Sequence, residues 1–132
     1  MDQEMSFGIV WIEGNGESSD GKALYFPWRF GDANIMMLAL DRPDATPQQV
    51  SEMLKISDEA RWALMPDGIY FSPQDNPRSI SFYDFATRHT REIFGADKDL
   101  SKGISLSPDR RYMLYSQIDE SNSDIMLVNN FR

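Results

Sequence analysis

The stretch Gly103–Phe131 reads GISLSPDRRYMLYSQIDESNSDIMLVNNF and contains three short apolar runs separated by polar segments. Ser107-Pro108-Asp109-Arg110 has the composition of a tight turn, because proline fixes φ and aspartate bonds nearby backbone amides. A longer polar segment separates the second apolar run from the third. The pattern predicts three antiparallel strands, at Gly103–Leu106, Tyr112–Ser116 and Asp124–Asn129.

Weaker copies of this pattern occur twice upstream. The turn aspartates Asp20, Asp67 and Asp109 are 47 and 42 residues apart, and an aromatic-bearing strand follows each of them. A further strand then opens with a small polar residue and isoleucine, as in Ser79-Ile80. A period of about 40–50 residues with four short strands is typical of propeller blades. Hairpins of this kind also occur in β-sandwiches, which are the alternative fold.

The predicted fold is therefore all-β, an incomplete antiparallel β-propeller with about two and a half to three four-stranded blades. We expect one partial domain, residues 1–132, with blades near residues 7–56, 60–95 and 102–132. Residues 46–56 fit either a short outer strand or a helix that starts at Thr46-Pro47-Gln48-Gln49, which resembles a capping box. The other predicted strands are Phe7–Glu13, Lys22–Phe26, Asn34–Leu40, Arg61–Met65, Gly68–Ser72, Ser79–Phe85 and Arg88–Phe94.

The repeat unit resembles the TolB-like, WD-repeat-like β-propeller repeat, whose hallmark is a Ser-Pro-Asp-Gly turn before an aliphatic-aromatic strand. Ser107-Pro108-Asp109 matches this turn, and Ser19-Asp20-Gly21 and Pro66-Asp67-Gly68 match it in part. The closing residues 121–132 resemble the C-terminal end of bacterial regulators that join a CadC-type winged-helix domain, or a protein kinase domain, to such a propeller. The resemblance covers about Glu17 to Arg132 and implies an interaction or sensory module within a larger bacterial protein.

Two departures from the family pattern bear on the fold. Arg110 occupies the usual glycine position, where a left-handed residue other than glycine costs about 1 kcal/mol. Propellers of this type commonly have six or more blades, so we expect the chain to be the C-terminal part of a longer propeller or a truncated copy. The last predicted blade has three strands of its own and needs a fourth from elsewhere, with Phe7–Glu13 as one candidate.

Composition excludes several classes of function. The formal net charge is −8 and the pI is about 4.5, which predicts no direct nucleic-acid binding because an acidic surface repels phosphates. There is no cysteine, which excludes disulfides and thiolate metal sites. The longest apolar run, Ile35–Leu40, is too short to cross a bilayer, and no signal peptide is visible. Either cytoplasm or periplasm is compatible with this composition.

Candidate chemical groups are few. His89 is the single histidine and has no partners at metal-binding or catalytic spacing. Asp119, Glu120 and Asp124 lack the ligand alternation and glycine of a calcium loop, so a solvated hairpin is expected. No Gly-x-Ser-x-Gly elbow or phosphate-binding loop is present. The sequence therefore predicts no catalytic residue, no metal and no cofactor.

Structural turns and one surface pair are the remaining candidate sites. The recurring aspartates Asp20, Asp67 and Asp109 are expected to bond the backbone two residues on. Trp28 and Arg29, in a predicted loop over residues 27–32, are candidates for a surface contact.

Three functional hypotheses follow. The favoured one is a non-catalytic β-propeller segment that binds a protein partner or the remaining blades of the same propeller. The alternative is a propeller portion that gates a serine peptidase, of prolyl-oligopeptidase or tricorn type, whose catalytic domain lies outside this chain. A third is a homo-oligomer in which several chains close one ring.

Overall fold

The computed structural model describes residues 16–28, 34–57, 61–119 and 122–129. These residues form eleven β-strands and no helix, and hence no helix long and apolar enough to cross a membrane. The strands form three antiparallel sheets in which consecutive strands are hydrogen-bonded neighbours. We call them the first, second and third sheets in chain order.

The first sheet lies near the N-terminal end of the described residues. Its strands are β1 (Gly16–Glu17), β2 (Ala23–Trp28), β3 (Asn34–Ala39) and β4 (Gln48–Gln49). The predicted strand Asn34–Leu40 is present as β3. The prediction that a loop begins at Pro27 is wrong, because β2 continues to Trp28, which pairs with Asn34. The predicted strand Phe7–Glu13 lies outside the described residues.

Residues 46–56 contain a short strand, a turn at residues 52–53 and two bridged residues, and not the helix that was the second predicted alternative. Gln48 and Gln49 pair with Met37 and Met36, and Lys55 bridges Asn34. Leu54 and Ile56 are fully buried against the second sheet. This burial outweighs the helix-start signal at Thr46-Pro47, because a helix of two turns has little stability of its own.

The second sheet is the middle layer of the described structure. Its strands are β5 (Trp62–Met65), β6 (Gly68–Phe71), β7 (Ser79–Asp84) and β8 (Thr90–Gly95). They correspond closely to the strands predicted between Arg61 and Phe94. Every residue of β6 is buried, as is every residue of β7 except Asp84. Both faces of this sheet are therefore covered, which explains why its central strands are nearly continuous in apolar and small residues.

The third sheet has the longest strands. They are β9 (Leu100–Leu106), β10 (Tyr112–Asp119) and β11 (Asn122–Asn129), in the order β11-β10-β9. All three predicted strands are present, but each is longer than predicted. Pairing between β10 and β11 continues to Asp119 and Asn122, so polar residues predicted to form a loop extend the hairpin instead.

Two apolar clusters join the sheets. Between the first and second sheets, Ile35, Leu54 and Ile56 pack with residues of β5, β6 and β7. Between the second and third sheets, Tyr70, Ile80 and Phe82 pack with residues of β9 and β10. The sheets thus stack in chain order with a core on each side of the second. The predicted all-β class and blade-like antiparallel sheets are confirmed, and the arrangement is consistent with an incomplete propeller.

Candidate interaction surface

The first two sheets use the same register positions to contact the sheet that follows, and the third sheet has residues at those positions too. We call the face turned toward the following sheet the forward face, and in the third sheet this is the face turned away from the second. We compare three residues on the forward face of each sheet. Two of them form a cross-strand pair, and the third precedes the second member of that pair by two positions on the same strand. The residues are Tyr25, Met37 and Ile35 in the first sheet, Tyr70, Phe82 and Ile80 in the second, and Leu114, Leu127 and Ile125 in the third.

Burial at these positions differs sharply between the second and third sheets. Tyr70, Ile80 and Phe82 are buried beneath the third sheet. In the third sheet, Ile125 is the counterpart of Ile80 and is 79% exposed. Leu127 is the counterpart of Phe82 and is 59% exposed. The pattern that buries a side chain in the second sheet therefore leaves it accessible in the third.

The forward face of the third sheet carries a group of exposed apolar side chains, with Ser105 and Ser116 among them. We call it the apolar face. Among the described residues, seven large hydrophobic side chains are exposed, and five of them lie here. They are Tyr112, Leu114 and Ile118 on β10, and Ile125 and Leu127 on β11. A three-stranded sheet with strands of eight residues presents about 400 Å² per face. The five apolar side chains cover part of that area, and exposed apolar groups that lie together often mark an interaction site.

The sequence contained a signal for this surface that the strand prediction did not use. Tyr112-Met113-Leu114-Tyr115 is apolar at four consecutive positions, whereas a strand with one solvated face alternates apolar with polar residues. Met113 and Tyr115 are buried against the second sheet, and Tyr112 and Leu114 occupy the opposite face. A strand with apolar residues on both faces is suited to burial on both sides.

The turns before β2 and β10 have the same hydrogen-bond pattern. The Ser107 hydroxyl donates to Asp109 Oδ1 at 2.7 Å, and the same carboxylate oxygen accepts from the Arg111 amide at 3.1 Å. The Tyr112 amide donates to Ser107 Oγ at 3.0 Å. Asp109 therefore bonds the backbone two residues on, as the turn chemistry predicts, with Pro108 between the two interacting side chains.

In the first turn Ser18, rather than Ser19, occupies the serine position. The Ser18 hydroxyl donates to Asp20 Oδ1 at 2.6 Å, and the Lys22 amide donates to the same oxygen at 2.9 Å. The Ala23 amide donates to Ser18 Oγ at 3.0 Å. Ser19 occupies the place that Pro108 has in the last turn, so the matching tripeptide begins one residue earlier than the sequence motif suggested.

The turn at Pro66-Asp67 is of a different kind. Met65 pairs directly with Gly68, which leaves only two residues in the turn. Gly68 is not in the left-handed region. A Cβ at Gly68 would lie 2.1 Å from the Tyr83 carbonyl oxygen and 2.5 Å from the Phe82 ring. Gly68 therefore allows close packing rather than a left-handed turn.

The prediction that Asp67 bonds the backbone two residues on is wrong, because its carboxylate pairs with an arginine of the neighbouring sheet. Arg110 Nη1 donates to Asp67 Oδ2 at 2.8 Å, and Arg110 Nη2 donates to Asp67 Oδ1. The Arg110 guanidinium also lies 6.0 Å from the centroid of the Phe82 ring, over which Arg91 lies at 5.6 Å. The ion pair thus joins the third sheet to the second at the edge of their shared core.

Hydrogen bonding lowers the pKa of all three turn aspartates. The Ser18 and Ser107 hydroxyls are the main causes for Asp20 and Asp109, followed by the amides of Lys22 and Arg111. For Asp67 the main cause is the hydrogen bond from Arg110. Each bond favours the ionised carboxylate, so the three side chains serve structure as anions.

The predicted Trp28–Arg29 contact is only partly described. Trp28 is the last residue of β2, half-buried, with its ring 6.4 Å from that of Phe26. Arg29 lies outside the described residues. The indole therefore packs along its own strand, which is a position different from the predicted loop.

His89 lines an open cleft of about 790 Å³ beside the edge of the second sheet, with Ser79, Ser81, Arg88 and Glu92 among its neighbours. The lining mixes cations with anions, and His89, Arg88 and Glu92 are exposed. No group of three His, Asp or Glu side chains in the described part of the chain could hold a metal ion. Glu120 of the predicted hairpin loop lies outside that part. The cleft has no arrangement that selects one ligand chemistry.

Comparison with models of protein families gives no match, and comparison with curated proteins also gives none.

Proposed function

We propose that this chain is a non-catalytic interaction module that binds a protein partner through the apolar face of its third sheet. One observation carries the proposal. Leu114, Ile125 and Leu127 are exposed at the register positions that the second sheet buries beneath its neighbour. Exposed apolar side chains that are contiguous on a rigid sheet are typical of interaction sites.

The repeat pattern supports a more specific assignment. Stacked antiparallel meanders and the paired Ser-x-Asp turns at Ser18–Asp20 and Ser107–Asp109 fit blades of a TolB-like, WD-repeat-like propeller. In this proposal the module acts as the sensory or binding part of a larger bacterial regulatory or signalling protein. Partner binding there is protein–protein recognition, since the net charge of −8 disfavours nucleic acid.

The test is site-specific photo-crosslinking in cells that express the protein. A benzophenone amino acid at Leu127 should give a discrete crosslinked product, whereas the same group at Thr90, on the exposed edge strand β8, should give none. The Leu127 product should disappear when Leu114→Glu is added, because a buried carboxylate at the contact opposes binding. Absence of any product at Leu127, or equal products at both positions, would contradict the proposal.

A further inference from the structure

We infer that the partner protein adds an extended segment to the third sheet as a fourth strand, antiparallel to β11. The segment lies along the edge of β11 away from β10, which we call the outer edge. The inference rests on the proposed function, because it states how the partner of that surface is held. In the first and second sheets the third strand already has such a neighbour, since β3 pairs with β4 and β7 pairs with β8. In the described part of the chain no strand pairs with the outer edge of β11.

The hydrogen bonds of β10 determine which of its backbone groups face β11. The Ile118 amide donates to the Asp99 carbonyl oxygen at 2.8 Å, so the Ile118 amide points toward the β9 side of β10. Successive residues of a strand direct their backbone groups to opposite sides. Asp119 therefore faces β11, where it pairs with Asn122.

The same alternation continues along β11, because its register with β10 is unbroken. Starting from Asn122, every second residue bonds β10, and the residues between direct their N–H and C=O groups to the outer edge. Ile125 and Leu127 are among these outward-facing residues. Another extended backbone presents donors and acceptors at the matching spacing, about 4.8 Å away. The outer edge is therefore a template for one more strand.

The second sheet shows what a fourth strand contributes. Ile80 is fully buried and pairs with Phe94 of β8. The Phe94 ring lies 5.3 Å from that of Tyr115 in the third sheet, so the fourth strand takes part in the core between the two sheets. Ile125, the counterpart of Ile80, has no cross-strand neighbour on that side among the described residues and is 79% exposed. A flanking strand would bury part of its side chain.

The outer edges of the first two sheets have features that discourage a further strand, and β11 lacks them. β4 has two residues, and β8 has a register irregularity and exposed charges at Arg91 and Glu92. Short strands, bulges and charged side chains all protect an edge against pairing with another chain. β11 has eight residues, unbroken register, no proline and four successive aliphatic residues from Ile125 to Val128. Such an edge favours strand addition.

The neighbouring side chains define the chemistry of the added segment. On the forward face it would lie beside Ile125 and Leu127, and on the opposite face beside Met126 and Val128, which pack against the core shared with the second sheet. Its cross-strand neighbours are aliphatic on both faces, so the segment should be apolar at successive positions. The net charge of −8 favours lysine or arginine at the ends of the segment and opposes a second copy of this acidic chain as its source.

The first measurement is amide hydrogen exchange of the purified full chain, followed by NMR. The Met126 and Val128 amides bond β10 and should exchange slowly. The Ile125 and Leu127 amides face the outer edge and should exchange faster by at least about tenfold. Slow exchange at all four amides in the isolated chain would overturn the inference, because the outer edge would then be filled from within the protein.

The second measurement adds a probe peptide, RHTREIFGA, which is residues 88–96 of this chain. It contains the strand that occupies the fourth position in the second sheet, and it has more basic than acidic side chains. At saturating concentration it should slow exchange at Ile125 and Leu127 by at least about tenfold. Absence of any slowing by this probe would overturn the inference.

Two matched variants test the backbone contact. Ile125→Pro removes an outward N–H without removing a hydrogen bond to β10, and should weaken probe binding by at least about tenfold. Ile125→Ala keeps the N–H and should bind within about threefold of the unmodified chain. Circular dichroism checks that both variants are folded. Equal binding by the two variants would contradict strand addition.

N-methylation of the probe tests the same contact on the unmodified protein. The probe is methylated on alternate backbone amides, in two complementary sets. One set faces β11 and should lose binding, whereas the other faces away and should keep it. Equal effects of the two sets would overturn the inference.

Crosslinking in cells separates this inference from the proposed function. The product from a benzophenone amino acid at Leu127 should disappear in the Ile125→Pro background and remain in the Ile125→Ala background. A product that persists with Ile125→Pro would support partner binding by the apolar face while overturning strand addition. Absence of a product in the otherwise unmodified chain would overturn both.

Discussion

Arg110 on the third sheet and Asp67 on the second are joined by two hydrogen bonds between guanidinium and carboxylate. The Arg110 backbone is in the left-handed region, at φ 60°. The equivalent residue of the first turn is Gly21, at φ 71°. The side chain is mostly buried, 21% exposed, whereas Asp67 is 54% exposed. Arginine at this glycine position therefore has an unfavourable backbone conformation, but its side chain makes an inter-sheet contact that glycine could not make.

The Arg110 backbone strain and its ion pair can be separated by substitution. Arg110→Ala loses the ion pair and stays strained, whereas Arg110→Gly loses the pair and relieves strain of about 1 kcal/mol. We expect the free energy of unfolding of the alanine variant to be about 1 kcal/mol below that of the glycine variant, as measured by urea denaturation. Equal stability of the two variants would show that the left-handed conformation is not strained.

The coupling between Arg110 and Asp67 is measured by a double-mutant cycle. For a partly exposed pair we expect an interaction free energy of about 0.2–1 kcal/mol between Asp67→Ala and Arg110→Ala. Arg91→Ala is the control, because Arg91 lies over the same Phe82 ring, whereas the guanidinium that bonds Asp67 is that of Arg110. If the interaction free energy of Asp67 with Arg91 were as large as that with Arg110, the ion pair would not be the source of the coupling.

Acid should destabilise the protein through the turn carboxylates. The folded-state pKa values of Asp20, Asp67 and Asp109 are lowered, so the unfolded chain takes up protons first as pH falls. Their contribution to stability is present above the unfolded pKa of about 3.9 and is lost as pH falls through the folded values. We expect denaturation free energies to fall below about pH 4. Arg110→Ala should make this fall shallower, and Asp67→Asn should add nothing further in that background.

Gly68 and Gly95 should respond oppositely to a methyl group. Gly68→Ala would place Cβ against the Tyr83 carbonyl and the Phe82 ring, and overpacking of this kind costs about 1–3 kcal/mol or more. Gly95 has no atom within 4 Å of an added Cβ, so Gly95→Ala should be neutral or stabilising by up to about 1 kcal/mol. Thermal unfolding of both variants checks the difference. A stable Gly68→Ala variant would contradict the close packing of β6 on β7.

Ile80 and Ile125 provide a matched pair at the same register position. Ile80 is fully buried and Ile125 is 79% exposed. We expect Ile80→Ala to lower the free energy of unfolding by about 2–5 kcal/mol, and Ile125→Ala to change it by less than about 0.5 kcal/mol. The measurement is urea denaturation at low protein concentration. A comparable loss at both positions would mean that the apolar face is covered within the single chain.

Ser18 and Ser19 test the position of the first turn motif. Ser18→Ala removes the hydroxyl that donates to Asp20 and accepts from the Ala23 amide, at an expected cost of about 0.5–1.5 kcal/mol. Ser19→Ala should have little effect, because Ser19 occupies the position that proline has in the last turn. The stabilities of the two variants, compared by denaturant titration, should differ in that direction, and a reversed order would contradict the turn geometry.

The amino-acid sequence alone predicted most of the described strands, their antiparallel order and the aspartate turns before β2 and β10. These features depend on local chemistry, such as the apolar run Ile69-Tyr70-Phe71 or the serine, proline and aspartate at residues 107–109, and local chemistry is legible in a linear pattern. The sequence also marked Arg110 as a departure from glycine, and its φ of 60° is the conformation in which that departure has a cost.

Only the tertiary structure decided which faces are covered. Residues 46–56 form no helix because Leu54 and Ile56 are buried against another sheet. Gly68 proved to be a packing residue because of Tyr83 and Phe82. Ile80 and Ile125 look alike in the repeat, yet one is buried and the other exposed. Burial depends on residues far away in the chain, so no local pattern can distinguish the two. The physical reason is that the repeat encodes a sheet with two apolar faces, while the number of neighbouring sheets determines how many are covered.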